Sequence, residues 1–306
     1  MAAIGEEGAF HDGERALQER TGERAQAVRN GAMIAGSIME PARTFLSAQR
    51  MLIVGSRGAD GYPRVSIVFG DAGFVNTPQN DLVEIQLDPS FVDREEAVLR
   101  GLRRGAEVGL LAIDLERRRR FRVNGFVERA DDTAILVRVR EAYPNCPKYI
   151  HRRRLISVEP RPAGGAARQS GQSLDAAHRA VIEASDLFFM ASMHPQRGAD
   201  VSHRGGPAGF VRVLNDRTLR FPDYAGNAMF NSLGNLMVDD RVGLAFVDFA
   251  RTRVLRISGR ADIQFDAGVA APPAAGTRRF VEVSIDAWSD LPLDAAAHWE
   301  DLERAG

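Results

Sequence analysis

One unit is written twice in this chain, and that limits its fold more than anything else in the sequence. Residues 65–75 read VSIVFGDAGFV and residues 201–211 read VSHRGGPAGFV, identical at seven of eleven positions without a gap. VGLLAIDLERRRRFRVNG (108–125) and VGLAFVDFARTRVLRISG (242–259) agree at eight of eighteen. The offsets are 136 residues for the first pair and 134 for the second. Two ordered matches at nearly one offset identify two copies of a unit, at about 45–150 and 185–290. A period this long means tandem domains and not a stacked solenoid.

Within each copy the pattern is β. MLIVGS, RVSIVF, LVEIQL, EVGLLAID, RFRVNGFVE and AILVRVRE are short, rich in β-branched residues and in places alternating. The second copy offers LFFMAS, GFVRVL, TLRFPD, VGLAFVDF, VLRISGRAD and RFVEVSID. ADG at 59–61 and LND at 214–216 read as hairpin turns. About six strands per copy joined by short turns predict a small antiparallel barrel. One helix is expected in each copy, over 93–105 and over 228–240, the second with Phe230, Leu233, Leu236 and Met237 at helical spacing.

The expected organisation is a peripheral helical segment over 1–44, copy one over 45–156, a linker over 157–172 and copy two over 173–306. The linker SVEPRPAGGAARQSGQ has the Pro, Gly, Ser and Gln content of one, and SLDAAHRAVIEAS (173–185) follows as a capped helix. DAGVAAPPAAGTR (266–278) reads as a mobile loop. The class is therefore mainly β with peripheral helices, two tandem barrels forming an internal pseudo-dimer. Further association into a homodimer stays open.

Composition excludes several functions. A formal net charge of −1 makes nucleic acid an improbable partner. A single cysteine, Cys146, rules out an intrachain disulfide and gives no sign of a zinc site. No basic-then-apolar leader or membrane-length apolar run is present, so the expectation is a cytoplasmic protein without a membrane partner. Abundant arginine and alanine with few lysines points to a high-GC bacterial source.

The differences between the copies carry the functional signal. Where copy one continues its strand with Ile67, Val68 and Phe69, copy two has His203, Arg204 and Gly205. Arginine beside glycine-opened backbone is a receptor for phosphate, because its planar fork donates two charge-assisted bonds. A solvated edge strand would look the same in isolation. PDYAGN (222–227) forms a turn, and Asn227, Asn231 and Asn235 then recur at i, i+4 and i+8 at a helix start suited to an anion. The plainer reading is a cap with its asparagines in water.

At the end of copy one the polarity reverses. A one-residue adjustment sets Pro147 of NCPKYI against Pro292, and Lys148, a candidate phosphate ligand, against Leu293. Cys146 is either a reactive thiol or, more in keeping with a lone cysteine, a small packing residue. RRRR (117–120) reads as a solvated charged turn, and His11 and His194 show no partner pattern. No P-loop, GxGxxG after a strand, HExxH or GxSxG occurs.

ADVSHRGGPAGFV, TLRFPDYAGN, a helix with an asparagine-leucine step and VGLAFVDF together resemble the pyridoxamine 5′-phosphate oxidase-like, FMN-binding split-barrel superfamily. The likeness is to a bacterial branch with a DVSPRGG-type strand and a Cys-x-Lys element, which NCPKYI resembles; FHDGERALQERTG is similar to the start of its two-unit members. It implies paired six-stranded split barrels with the flavin in the cleft between them. By position it places Val201, Ser202, His203 and Arg204 on the strand along the flavin. Pro222, Asp223 and Tyr224 fall on a second contacting strand end, Asn227 and Asn231 near the phosphate, and Lys148, with Cys146, across the interface. His203 stands where the branch has proline, and the two asparagines stand where the family has Ser, Arg or Lys.

The expectation is one working cleft and one degenerate cleft filled by Ile67, Val68 and Phe69. The implied cofactor is FMN, with deazaflavin, FAD or haem as alternatives and NADH or NADPH as electron donor. The implied activity is oxidoreduction of a small-molecule substrate, with a non-catalytic flavin-binding protein as the alternative. No catalytic acid or base, no metal ligand and no pyridoxamine phosphate motif is evident.

Overall fold

The computed structural model describes residues 8–91, 99, 101–160, 167–265 and 277–303. Unit one contributes β1 (Met51–Arg57), β2 (Pro63–Phe69), β3 (Val75–Gln79), β4 (Leu82–Gln86), β5 (Glu107–Asp114), β6 (Arg119–Ala130) and β7 (Ala134–Asn145). After β8 (Arg153–Pro160) and β9 (Gln169–Gly171), unit two contributes β10 (Leu187–His194), β11 (Gly198–Gly205), β12 (Arg212–Asn215), β13 (Thr218–Pro222), β14 (Arg241–Asp248), β15 (Arg253–Phe265) and β16 (Arg279–Pro292). The two sheets run β2-β1-β5-β6-β7-β4-β3 and β11-β10-β14-β15-β16-β13-β12. Replacing each strand of the first by its counterpart gives the second, so the repeat in sequence is a repeat in topology.

Each sheet thus has seven strands on its main path, one more than six. The short strand β3, VNTPQ, gives little periodicity and contains Pro78, which an edge position tolerates because the missing N–H has no ladder partner to lose. GFVRVL begins its pairing only at Arg212, because Gly206 to Val211 make the preceding turn. The hairpin turns at 59–61 and around Asp216 are as expected.

The units pack face to face through matching strands, β5 on β11 and β14 on β2. Two glycines explain how closely. A Cβ on Gly109 would lie 2.9 Å from the Val201 nitrogen, and one on its counterpart Gly243 would collide with the Pro63 carbonyl. Both copies keep the Val-Gly-Leu step because each needs that glycine where the other unit's backbone crosses. A continuous apolar core runs through this interface, joining Leu52, Val54 and Leu111 to Ala191, Val201 and Ala245.

The N-terminal helices bridge the units. Leu17 of α1 (Asp12–Arg20) is buried in the core of unit two, and Phe45 and Leu46 of α3 (Glu40–Ser47) in that of unit one, with α2 (Arg24–Gly31) between them. The segment expected as a linker is ordered at both ends: β8 pairs with β17 (Ala295–Asp301), and β9 pairs with β16. Pairing with distant strands overrides its Pro- and Gly-rich composition. Helix α4 (Ala176–Ala184) is capped by Asp175, whose side chain accepts from the His178 N–H, as the sequence pattern predicts.

The expected helix over 228–240 is shorter. Only α5 (Asn231–Leu236) is helical, because Ala228 and Phe230 adopt left-handed backbone (φ 59° and 63°) that no helix continues through. Asn227 therefore lies outside the helix, and Met237 is exposed. Most of the helix expected over 93–105, and most of the loop expected over 266–278, fall outside the described residues. Among the described residues no helix is long and apolar enough to cross a membrane.

Candidate functional site

The ends of β11 and β13 in unit two face the tail of β7 in unit one across a cleft. Ser202, His203 and Arg204 line it from β11, Pro222, Asp223 and Tyr224 from β13 and the following turn, and Cys146 and Lys148 from the tail. Asn227 and Asn231 close one end. Ten of the eleven residues singled out by sequence thus line one cleft. Val201 does not: it lies one pleat deeper on the same face of β11 as His203, fully buried against Gly55 of unit one.

Three expectations about these residues change. The Asn227 side chain accepts from the Met229 N–H (3.1 Å) within its own turn, and Asn231 donates to Glu14 of α1 (2.7 Å), so both amides are engaged within the protein. Gly205 opens its backbone for the Tyr149 carbonyl, which a Cβ would strike, so that approach is made by unit one's tail. Strand register pairs Asn145 with Arg120 and Leu291 with Val254, which sets Lys148 against Asp294 and not Leu293. The cation is absent from the second tail on either alignment.

The RRRR run is not a uniformly solvated turn. Arg117 is exposed and pairs with Asp114 (3.1 Å), but Arg120 turns into the cleft. Its Nη1 donates to His203 Nδ1 at 3.0 Å, and its Nη2 donates to the Cys146 carbonyl. Strand alternation brings Arg122 to the same side, where it pairs with Asp200 at 2.8 Å. Sequence reading also missed Arg279, Glu23 and Tyr149. Arg279 bridges Asp223 (3.0 Å) and Glu23 (2.7 Å), while Asp223 also holds Arg204 at 3.0 Å.

The charges do not balance. Arg120, Arg122, Lys148, Arg204 and Arg279 face the cleft, against Glu23, Asp223 and the Asp200 behind it. Among the described residues neither Arg120 nor Lys148 has a carboxylate within ion-pair distance. Burial first, then the neighbouring Arg122, pushes Arg120 down to about 10, which still leaves it charged at neutral pH. The surplus of two positive charges suits a phosphate monoester, which carries about −1.5 to −2. Lys148 is, moreover, the only lysine in the chain.

His203 is held neutral, well below the ordinary imidazole value, by burial and then by Arg120 and Arg204. Since a guanidinium only donates, Nδ1 must accept, so the ring proton sits on Nε2. That Nε2 is buried without a partner, as are the Nε atoms of Arg120, Arg122 and Arg204, Asn145 Oδ1 and the Tyr224 hydroxyl. Six unpartnered buried polar atoms on residues of one cleft are a demand for a polar ligand, because each costs about 1–3 kcal/mol unsatisfied.

The enclosed part of the cleft holds about 130 Å³, less than the ~300–1,000 Å³ of a site that buries a drug-sized molecule. Tyr149 and Tyr224, both on its lining, stack on each other with ring centroids 4.8 Å apart.

The pseudo-equivalent position on the other side of the interface is filled. Ile67, Val68 and Phe69 are buried there in one apolar cluster with Val254, the counterpart of Arg120, and Leu293. One cleft is polar and the other is core.

Fold and cleft together define a tandem split-barrel protein with, among the described residues, one cation-rich cleft between its units. Residues 174–291, which make up most of unit two, match the family model described as pyridoxamine 5′-phosphate oxidase. No curated protein matches the chain. Among solved structures, a putative pyridoxamine 5′-phosphate oxidase from Lactobacillus delbrueckii is similar at 16% identity and a TM-score of 0.33, over 38% of this chain and 93% of that one. HupZ of Group A Streptococcus matches at 16% and 0.31 over 37% and 90%. An FMN-binding protein from Syntrophomonas wolfei matches at 8% and 0.27 over 36% and 82%.

Proposed function

We propose that the protein binds one FMN per chain in the cleft between its units and acts as a flavin-dependent oxidoreductase on a small molecule. The observation that carries this reading is the set of unpartnered buried polar atoms around a surplus of two positive charges, in a chain whose second unit matches the pyridoxamine 5′-phosphate oxidase model. Arg120, Arg204 and Lys148 would hold the phosphate. The His203 Nε2–H would donate to a ring acceptor, and the stacked pair Tyr149 and Tyr224 would offer the ring one aromatic face. When bound, the flavin supplies two-electron chemistry, and the protein's part is to position it and tune it. A nicotinamide would serve as donor.

The hydrogen bond from Arg120 to His203 bears on the haem alternative. An iron ligand needs an imidazole lone pair, and in His203 that lone pair is taken by Arg120 while Nε2 carries the proton. His203 is thus arranged as a donor to a flavin heteroatom.

The visible spectrum of the purified protein, followed by titration with FMN, tests the reading. The expected result is a flavin spectrum or saturable FMN uptake, weakened in Arg204→Ala and retained in Val68→Ala. No flavin on the purified protein and no uptake of added FMN would refute it.

A further inference from the structure

Beside the cleft lies a small cavity of about 20 Å³, room for one water molecule. Three parts of the chain wall it. Glu14 comes from α1, Asn124 and Glu141 from unit one, and Asp200, Asn231 and Asn235 from unit two. Asn231 faces both this cavity and the cleft.

Each carboxyl in this wall has a different partner. Glu141 is held by Arg197 at 2.5 Å and Asp200 by Arg122 at 2.8 Å. Glu14, only 3% exposed, has no lysine or arginine within ion-pair distance among the described residues, although Arg197 lines the same cavity: Oε2 accepts from the His11 backbone N–H (2.8 Å) and lies 3.5 Å from His11 Nε2, and Oε1 accepts from Asn231 Nδ2 (2.7 Å). The nearby His11 ring is neutral, since Nδ1 accepts from the Gly13 N–H and Nε2 donates to Asn235 Oδ1. His194, its ring tilted against that of His11 with centroids 4.2 Å apart, likewise accepts at Nδ1 from the Gln196 and Arg197 N–H groups. A buried carboxyl without a cation keeps its proton. Burial is the main reason that Glu14 is pushed up to about 8.

A path leads from the cavity to the cleft. Asp200 Oδ2 accepts from Ser232 Oγ at 2.5 Å, and Ser232 Oγ lies 2.9 Å from Ser202 Oγ. Both serines line the cleft. Asn124 is 6% exposed and its Oδ1 has no partner, an acceptor of the kind a trapped water satisfies.

We propose that Glu14 is a proton store for the cleft, joined to it by one water in this cavity and by the chain Asp200–Ser232–Ser202. This rests on the flavin reading, because hydride transfer to an oxidised flavin leaves it with a negative charge that one further proton neutralises. Glu14 gives its proton to the water, and the water gives one to Asp200. Ser232 takes that proton while passing its own to Ser202, whose hydroxyl proton goes to the acceptor in the cleft. Glu14 is left a carboxylate and is reprotonated from solvent; no electron moves along the chain.

Infrared pH titration of the protein without flavin tests the store by itself. The expected result is a protonated-carboxyl band that disappears with a midpoint near 8 and is absent in Glu14→Gln. No such band, or one that survives in Glu14→Gln, overturns the proposal. The path is tested on FMN-loaded protein by following proton uptake with an indicator dye during photoreduction. Ser232→Ala should keep the Glu14 band and lose the pH-dependent change in uptake rate seen in the unaltered protein. An uptake profile unchanged in both variants overturns the path. If no FMN binds, the functional reading fails, while the titration without flavin still judges the store.

Discussion

Arg120 Nη1 donates to His203 Nδ1 at 3.0 Å, a bond between a residue of unit one and a residue of unit two. It fixes the imidazole tautomer, and it sets a half-buried guanidinium without a carboxylate partner among the described residues on the lining of the cleft. The two residues that break the repeat most sharply there touch each other.

Replacing Arg120 therefore separates site from surface. Arg120→Leu removes a charge-assisted donor of about 1.5–3 kcal/mol, which lowers FMN affinity roughly 10- to 100-fold. Arg117→Ala, three residues earlier on the preceding turn and already paired with Asp114, leaves affinity unchanged. Equilibrium titrations of both variants check the contrast.

The interface glycines give a stability prediction. Gly109→Ala and Gly243→Ala each drive a methyl into the backbone of the other unit, at a cost of about 1–3 kcal/mol. Thermal unfolding should show a lower Tm in both variants, by comparable amounts, since the two sites are counterparts. A loss at only one site would mean that the units do not meet symmetrically.

The pH dependence of stability follows from Glu14 and His11. Glu14 has a folded value raised to about 8 from an ordinary 4.5, so its contribution is complete below 4.5 and lost as pH rises through 8. His11, lowered to about 4 from 6.5 by burial and then by His194, behaves in reverse: its contribution is complete above 6.5 and lost as pH falls through 4. Between pH 4.5 and 8 the Tm of the unaltered protein should fall more than that of Glu14→Gln.

Lys148 offers a chemical probe, because no other side chain in the protein carries an amine. Amine-selective acetylation should modify a single lysine. Bound FMN should slow that modification, and the acetylated protein should bind FMN more weakly. Mass spectrometry of the modified peptide reads both effects.

How much of this was legible in the sequence depends on whether a residue's role shows in the contrast between the repeats. Arg204 against Val68 stood out because the surrounding framework is identical, and the structure brings Arg204 to the cleft and buries Val68 in core. The same contrast existed at Arg120 against Val254, but three neighbouring arginines disguised it as a charged turn. Period-two alternation, which puts Arg120 and Arg122 on one face of β6, would have found both. Glu23 and Arg279 left no such trace: Glu23 lies outside the repeat, and Arg279 reaches Asp223 only through the pairing of β13 with β16. The linker strands were hidden for a related reason, since their partners lie far away in sequence.

The central claim is that one cleft, and not its filled counterpart, grips a phosphate-bearing flavin. Equilibrium titration of the protein with FMN and with riboflavin tests it most directly. The account predicts one FMN per chain and riboflavin bound roughly tenfold more weakly or worse, because only the phosphate meets Arg120, Arg204 and Lys148. Two FMN per chain, or equal affinity for riboflavin, would contradict it.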